Sequence, residues 1–388
     1  MPDERKLNVS RTIQKLLASL EDHALFFRAS AAEADRLARL PSHVSSALVR
    51  HELFRLWIPR STAGLELSLP EALQVYEAAA RIDGSVGWAV MIGSGGGLFA
   101  AYLSAEAARS IYAAPNAVIA GSGSPDGHAE RVDGGYRASG RWRYASGADY
   151  ATTFTANCRI TEGGAQVLAA DGSPLIRAMA FDVSQVRVLP SWDTSGMRGT
   201  GSDDFEVHEA FVPEPRSFSV FTDPPRETGA LYRLPFGVLT ELPVASVALG
   251  IGRHMLEAFE ALARRKKAHG STGSMAQDPF VQTRFAEGAA TWQLVRAGLS
   301  RLAERAWEVA LAGRALTPRE LAEITAGCAL SVARLRAVAG ELIAVSGMTG
   351  IRMDDELARA WRDLQTVAAH TSVSPRHLTS AGAALLTH

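Results

Sequence analysis

"GRWRYASGADY" (residues 140–150) sets Trp142, Tyr144 and Ser146 at alternate positions and then stops on Gly147. In an extended strand successive side chains point to opposite sides, so these three share a face. An indole, a phenol and a hydroxyl in one row suit a sheet face packed on a core. They equally suit a wall that receives a flat aromatic ligand. The surrounding chain has to choose between these readings.

The period of two extends on both sides of this stretch. "AERVDGGYRASGRWRY" carries Gly134-Gly135 between alternating segments, a hairpin signal. "YATTFTANCRI", "IRAMAFDVSQVRVL" and "DDFEVHEAFVP" are further strands, separated by Gly, Asp and Pro clusters. Residues 117–225 therefore read as a small antiparallel β domain. Before it, residues 1–116 are helical. "RTIQKLLASLEDHALFFRASAAEADRLARLP" keeps apolar residues at three- and four-residue spacing up to Pro41. "LPEALQVYEAAARI" has Pro70 in its first turn, and "SVGWAVMIGSGGGLFAAYL" reads as a buried helix rich in small residues. After the β domain, residues 226–388 hold three long Ala-, Leu- and Arg-rich helices, the last opening at Thr317-Pro318 and closing at "SGMTG" (346–350). The fold class is α+β, in α–β–α order.

Composition removes several functions. Across 388 residues, 40 Lys+Arg face 41 Asp+Glu, a formal charge of -1. No global field favours nucleic acid or an anionic membrane. The basic run "ARRKKAH" (263–269) reads as a solvated helix end. Cys158 and Cys328 form no disulfide framework and lack metal-ligand spacing, so both are expected buried and reduced. "MPDERKLNVS" is not a signal peptide, and no run of about 18 apolar residues is evident. A cytoplasmic protein is expected.

Four segments in this α–β–α order resemble the acyl-CoA dehydrogenase superfamily: "GRWRYASG", "SWDTSGMRGTGSDDFEVHEAFVP" (191–213), "SGMTG" and "LARAWRDLQTVAAH" (357–370). The resemblance implies an N-terminal helical domain, a central antiparallel β-barrel and a C-terminal four-helix bundle, assembled as a homotetramer. It also implies a flavin site in which Tyr144 flanks the isoalloxazine and Ser146 reaches toward flavin N5. Trp142, Arg198, Thr200 and Ser202 join it as candidate flavin contacts. Each has a plainer reading: Trp142 as packing under the site, Arg198 as a satisfied turn cation, Thr200 and Ser202 as partners of turn amides.

Acyl-CoA dehydrogenases carry a carboxylate base shortly after the Arg-Asp pair, but "RDLQTVAAHTSVSPRH" has no Asp or Glu after Asp363. His370 stands where that base would fall, and is expected on the same helix and face as Asp363. The array is more similar to the oxygenase components of two-component flavin monooxygenases. That resemblance implies reduced FMN, with FAD as the alternative, and O₂ as co-substrate. A separate NAD(P)H:flavin reductase would supply the flavin, and hydroxylation of an aromatic or polycyclic molecule, or of an amine nitrogen, would proceed through a C4a-peroxyflavin. Ser146 and His370 are then the catalytic candidates, His370 as a base toward a phenol. The enzymatic rival is an acyl-CoA dehydrogenase or oxidase using Glu241, and the non-enzymatic one is a flavin-binding scaffold.

Overall fold

The computed structural model describes residues 4–267 and 273–387. Among the described residues six α-helices precede the sheet: α1 (Glu4–Asp22), α2 (Ala24–Leu37), α3 (Ser42–Arg50), α4 (Leu69–Ile82), α5 (Gly84–Gly95) and α6 (Ala105–Tyr112). The first long helical pattern breaks at His23, whose Nδ1 donates to the Ser19 carbonyl at 2.9 Å and so ties off the end of α1. Helix α4 starts at Ser68, whose backbone N–H donates to Glu71 at 3.1 Å in a capping box. Asp83 caps α5. Gly87 lets α5 lie directly on α4, since a Cβ there would sit 2.4 Å from that of Ala80. The stretch Gly84–Ala101 is long and apolar enough to cross a membrane, against the sequence expectation, but 83% of it is buried inside the protein. It is a core helix.

The sheet has eight strands: β1 (Ile119–Val132), β2 (Gly135–Ala145), β3 (Thr153–Glu162), β4 (Ala165–Gln166), β5 (Ile176–Asp182), β6 (Val186–Leu189), β7 (Asp203–Pro213) and β8 (Ser217–Phe218). Gly134, at φ +75°, closes the β1–β2 hairpin. Two expectations need correction. The sheet is mixed rather than antiparallel, because β3 pairs with β1 in parallel. The chain reverses into β2, crosses back over β1, and reverses again into β3, so β3 runs the same way as β1. The sheet is also not a closed barrel: the order β6-β7-β2-β1-β3-β5-β8 leaves β6 and β8 as ends that do not pair with each other.

The C-terminal helices are α7 (Val238–Arg265), α8 (Pro279–Leu311), α9 (Pro318–Ser346), α10 (Glu356–Val367) and α11 (His377–Thr387). Helices α7, α8 and α9 pack on one another, α10 lies against α7 and α9, and α11 covers α9. Lys266, in the basic run, donates to the Ser346 carbonyl at 2.7 Å and to Thr349 Oγ1 at 3.0 Å, tying down the end of α9. His269 lies outside the described residues. The N-terminal helices do not have a core of their own. Leu73, Tyr76 and Val90 share one apolar cluster with Leu242, Val247, Leu335 and Leu364. The sheet keeps a separate core around Trp142, Phe154, Phe181 and Phe205.

Candidate active site

The strand that carries Trp142 does not keep its alternation. Pairing of β2 with β7 shifts register between Trp142 and Ala145, and Tyr144 lies at φ +67°. A bulge of this kind adds a residue and turns the next side chain to the other face. Trp142, Tyr144 and Ser146 therefore do not share a face, and the expected wall is corrected. The Trp142 ring is fully buried in the sheet's own core, stacked on Phe205 at 5.2 Å, with Nε1 donating to the Asn157 carbonyl. It supports the strand from behind. Tyr144 turns out beside Arg141 and Arg143, stays 63% exposed, and meets Trp192 edge to face at 6.1 Å.

Ser146, just past the strand, starts a hydroxyl chain. Its Oγ accepts from Trp88 Nε1 at 2.9 Å and lies 2.7 Å from Ser202 Oγ. Ser202 Oγ lies 2.7 Å from Thr200 Oγ1, which donates to the Met197 carbonyl at 2.8 Å. The directions follow from the two ends. Indole N–H only donates, and the Thr200 proton is spent on a carbonyl. Ser202 must therefore donate to Thr200, and Ser146 to Ser202. Ser146 is left with a lone pair and no free proton.

The 195–201 loop is held from outside. Arg362 Nε donates to the Ser195 carbonyl at 2.7 Å and its other arm to Asp35 Oδ2 at 3.1 Å. The Met197 N–H donates to Asp363. Met197 is in the left-handed region at φ +54° and is fixed by bonds at both its N–H and its carbonyl. Gly196 is required because a Cβ would lie 2.1 Å from the Arg362 carbonyl. Burial, and then the neighbouring Asp83, push the Asp363 carboxyl well above the usual range. Arg198 is engaged within the chain, donating to the Asp35 and Thr194 carbonyls and to Asp193 at 2.7–2.9 Å.

His370 is not on the Arg-Asp helix. Helix α10 ends at Val367, and His370 has extended backbone (φ -66°, ψ 138°) capping the turn Thr371–Val373. Its ring packs edge-on against Trp88 at 5.3 Å, and its Nδ1 accepts the Ser372 N–H at 3.3 Å. Burial lowers its pKa to about 4, so the ring is neutral at physiological pH. With Nδ1 occupied as an acceptor, the single ring proton sits on Nε2.

His370 lines an apolar cavity of about 240 Å³, with Trp57, Met91, Phe99, Ile119, Phe236 and Leu239 among its other walls. Glu241, the rival base, lies one residue past the lining residue Thr240 but turns to α9, where Thr325 Oγ1 donates to it at 2.9 Å. Burial raises its pKa. The cavity shares Ser122 with an open polar cleft lined by Ser124, Asp126, Arg141, Arg143, Tyr144 and Asp204. Arg141 pairs with Asp204 at 3.0 Å. Arg143 makes no ion pair among the described residues.

The Acyl-CoA dehydrogenase C-terminal domain family model matches residues 242–375. XiaF from Streptomyces sp., solved in complex with FADH2 and glycerol, superposes with a TM-score of 0.89 at 24% identity, covering 99% of this chain and 96% of that one. The fold is that of the acyl-CoA dehydrogenases. Indole-3-acetate monooxygenase of Pseudomonas putida is 31% identical over 358 residues, 92% of this chain and 90% of the relative. An FADH(2)-dependent resorcinol hydroxylase, oxygenase component, from Rhizobium sp. is 28% identical over 93% of this chain and 91% of its own. The chain belongs to the flavin-dependent monooxygenases of this fold.

The residues present fit a flavin. Ser146 keeps an acceptor lone pair at the end of the hydroxyl chain, which suits a ring N–H, and Arg143 in the polar cleft is without an ion pair among the described residues, which suits a phosphate. Trp88, Ser122, Gly123 and Arg143 are absent from the sequence-based candidates. "AGSGSPDG" (120–127) carries the relevant signal, glycine and serine alternating within a strand, which marks close backbone approach.

Proposed function

We propose that this oxygenase component hydroxylates a small aromatic held in the apolar cavity, with reduced FMN as its flavin. The observation that carries the flavin reading is the direction of the hydroxyl chain. Ser146 offers only a lone pair, which suits an N–H and so the reduced flavin, whose N5 carries a hydrogen, over the oxidised one, whose N5 does not. Trp88, Ser202 and Thr200 fix that direction. Tyr144 would flank the ring system, and Arg143 with Ser124 would hold the phosphate. The one unpaired guanidinium in the cleft matches a terminal phosphate and favours FMN over FAD. Trp142 and Arg198 would support the site from behind, because both are engaged within the chain. Bound reduced flavin supplies the activated oxygen.

His370 would act as a hydrogen-bond donor rather than a base, since its proton lies on Nε2 and its basicity is low. The surrounding apolar wall excludes water. A cavity of about 240 Å³ lies below the roughly 300–1,000 Å³ of drug-sized sites and favours one or two rings. Exposed Leu294, Met348 and Met353 on the C-terminal helices and the loop beyond α9 support a homotetramer. Buried free Cys158 and Cys328 accord with a cytoplasmic setting.

The test is reconstitution. With NADH and oxidised FMN alone the chain should form no product, and a flavin reductase should restore it. Anaerobic titration should show reduced FMN binding roughly tenfold or more tighter than oxidised FMN. Direct NADH oxidation by the pure chain, or equal affinity for both flavin states, overturns the reading. Light scattering at micromolar concentration should return four times the chain mass.

A further inference from the structure

We propose that the cavity accepts only uncharged aromatics and rejects substrates bearing a carboxylate, a rule that rests on the hydroxylase reading above for the identity of the cavity. Among the described residues, no Lys, Arg, Asp or Glu lines the cavity. The polar side chains on its walls are Ser122, Thr155, Asn157, Ser219, Thr240 and His370. His370, the one ionisable ring among them, is neutral.

Backbone dipoles do not replace the missing cation. The cavity touches the first turn of α7 at Leu239 and Thr240, and a free helix N-terminus there would attract an anion. Its amides are already spent: Val238 and Leu239 N–H donate to the Pro235 carbonyl, and Thr240 and Glu241 N–H to that of Gly237. The cavity also borders the last turn of α5 at Ile92 and Gly95, the electronegative end of that helix. Arg141 and Arg143 lie in the polar cleft beyond Ser122. Arg141 is paired with Asp204 there, and Arg143 is the residue assigned above to the flavin phosphate.

A buried, unpaired carboxylate loses its hydration without compensation. A neutral amide of the same shape accepts the same hydrogen bond from His370 Nε2 without that loss. Indole-3-acetamide and indole-3-acetate have nearly the same shape and differ in the charge of this group, and they serve as the probes.

Equilibrium binding of each to the full-length protein, by calorimetry at neutral pH, should favour the acetamide by at least a hundredfold. Lowering the pH toward the ordinary carboxyl range should narrow the gap by strengthening only the acid. Equal or tighter binding of the acetate, or binding of neither compound, overturns the proposal. Product formation with FMN and a reductase is measured separately. Selective binding of the acetamide without product leaves the charge rule standing and removes the hydroxylase reading. Hydroxylation of both with equal affinity does the reverse.

Discussion

The apolar cavity and the polar cleft share Ser122 and little else. The cavity is walled by aromatic and aliphatic side chains with one neutral imidazole, whereas the cleft holds two arginines and two aspartates and opens to solvent. Each arrangement is costly in the other's place. A charge in the cavity would be desolvated without a partner, and an apolar cleft would not anchor a phosphate. On the proposed assignment, affinity for the flavin and control of its chemistry are built from separate residues. Substitutions on the two sides should therefore fail in different ways.

His370→Ala should give the largest effect. Losing a preorganised donor in a water-excluded site costs about 10²–10³-fold, so product per flavin oxidised should fall by that order, with oxygen released as hydrogen peroxide. FMN affinity should change by less than about threefold, roughly half a kcal/mol. If flavin binding collapses first, the residue is structural and the two regions are not separable.

Arg143→Ala should fail the opposite way. A hydrogen bond to a charged group contributes about 1.5–3 kcal/mol, so the Kd for FMN should rise roughly tenfold or more. Riboflavin, which has no phosphate, should bind as before, and chemistry at saturating FMN should be retained. An equal loss for both ligands would remove the phosphate contact.

Ser146→Ala lies behind both regions, and the expected effect is smaller. One neutral hydrogen bond contributes about 1 kcal/mol, so the preference for reduced over oxidised FMN should shrink roughly fivefold. Ser202→Ala should shrink it as well, by freeing the Ser146 proton. A preference unchanged in both variants would break the assignment.

The smallest effect is on stability. The His370 pKa falls from 6.5 to about 4 on burial. Between those values the unfolded chain binds a proton that the folded chain does not, so stability falls as pH drops through this window. The wild-type Tm should therefore decline more on acidification from pH 7 to 4 than that of His370→Gln. Parallel declines would mean that the ring is solvated.

Much of this layout was legible from residue patterns, and the failures have a common form. Pro70 in a first turn and the pair Thr317-Pro318 carry their own helix-start chemistry, and the structure begins a helix at each. Gly134 makes the hairpin for a local reason, positive φ. What stayed hidden depends on residues far apart in sequence. The bulge that turns Tyr144 away from Trp142 is imposed by pairing with β7, some sixty residues on. The end of α10 before His370 has no proline or glycine to mark it, because the break is made by His370 capping the next turn. Arg143 was in plain view beside Tyr144, but only the fold shows that its neighbours leave it unpaired.

The single apolar cluster joining both helical regions has a consequence for synthesis of the chain. Helix α4 packs on α7, although more than 150 residues separate their first positions, Leu69 and Val238. A growing chain cannot complete that contact until α7 has emerged, while the sheet, with a core of its own, can close beforehand. Such distant pairings fold slowly and leave apolar faces open while they wait. On the ribosome the sheet is thus the first part able to settle, with α4 and α5 packed on each other but still without α7. Trp88 on α5 reaches Ser146 only once those helices dock, so the contact that fixes the direction of the hydroxyl chain forms after the sheet has closed.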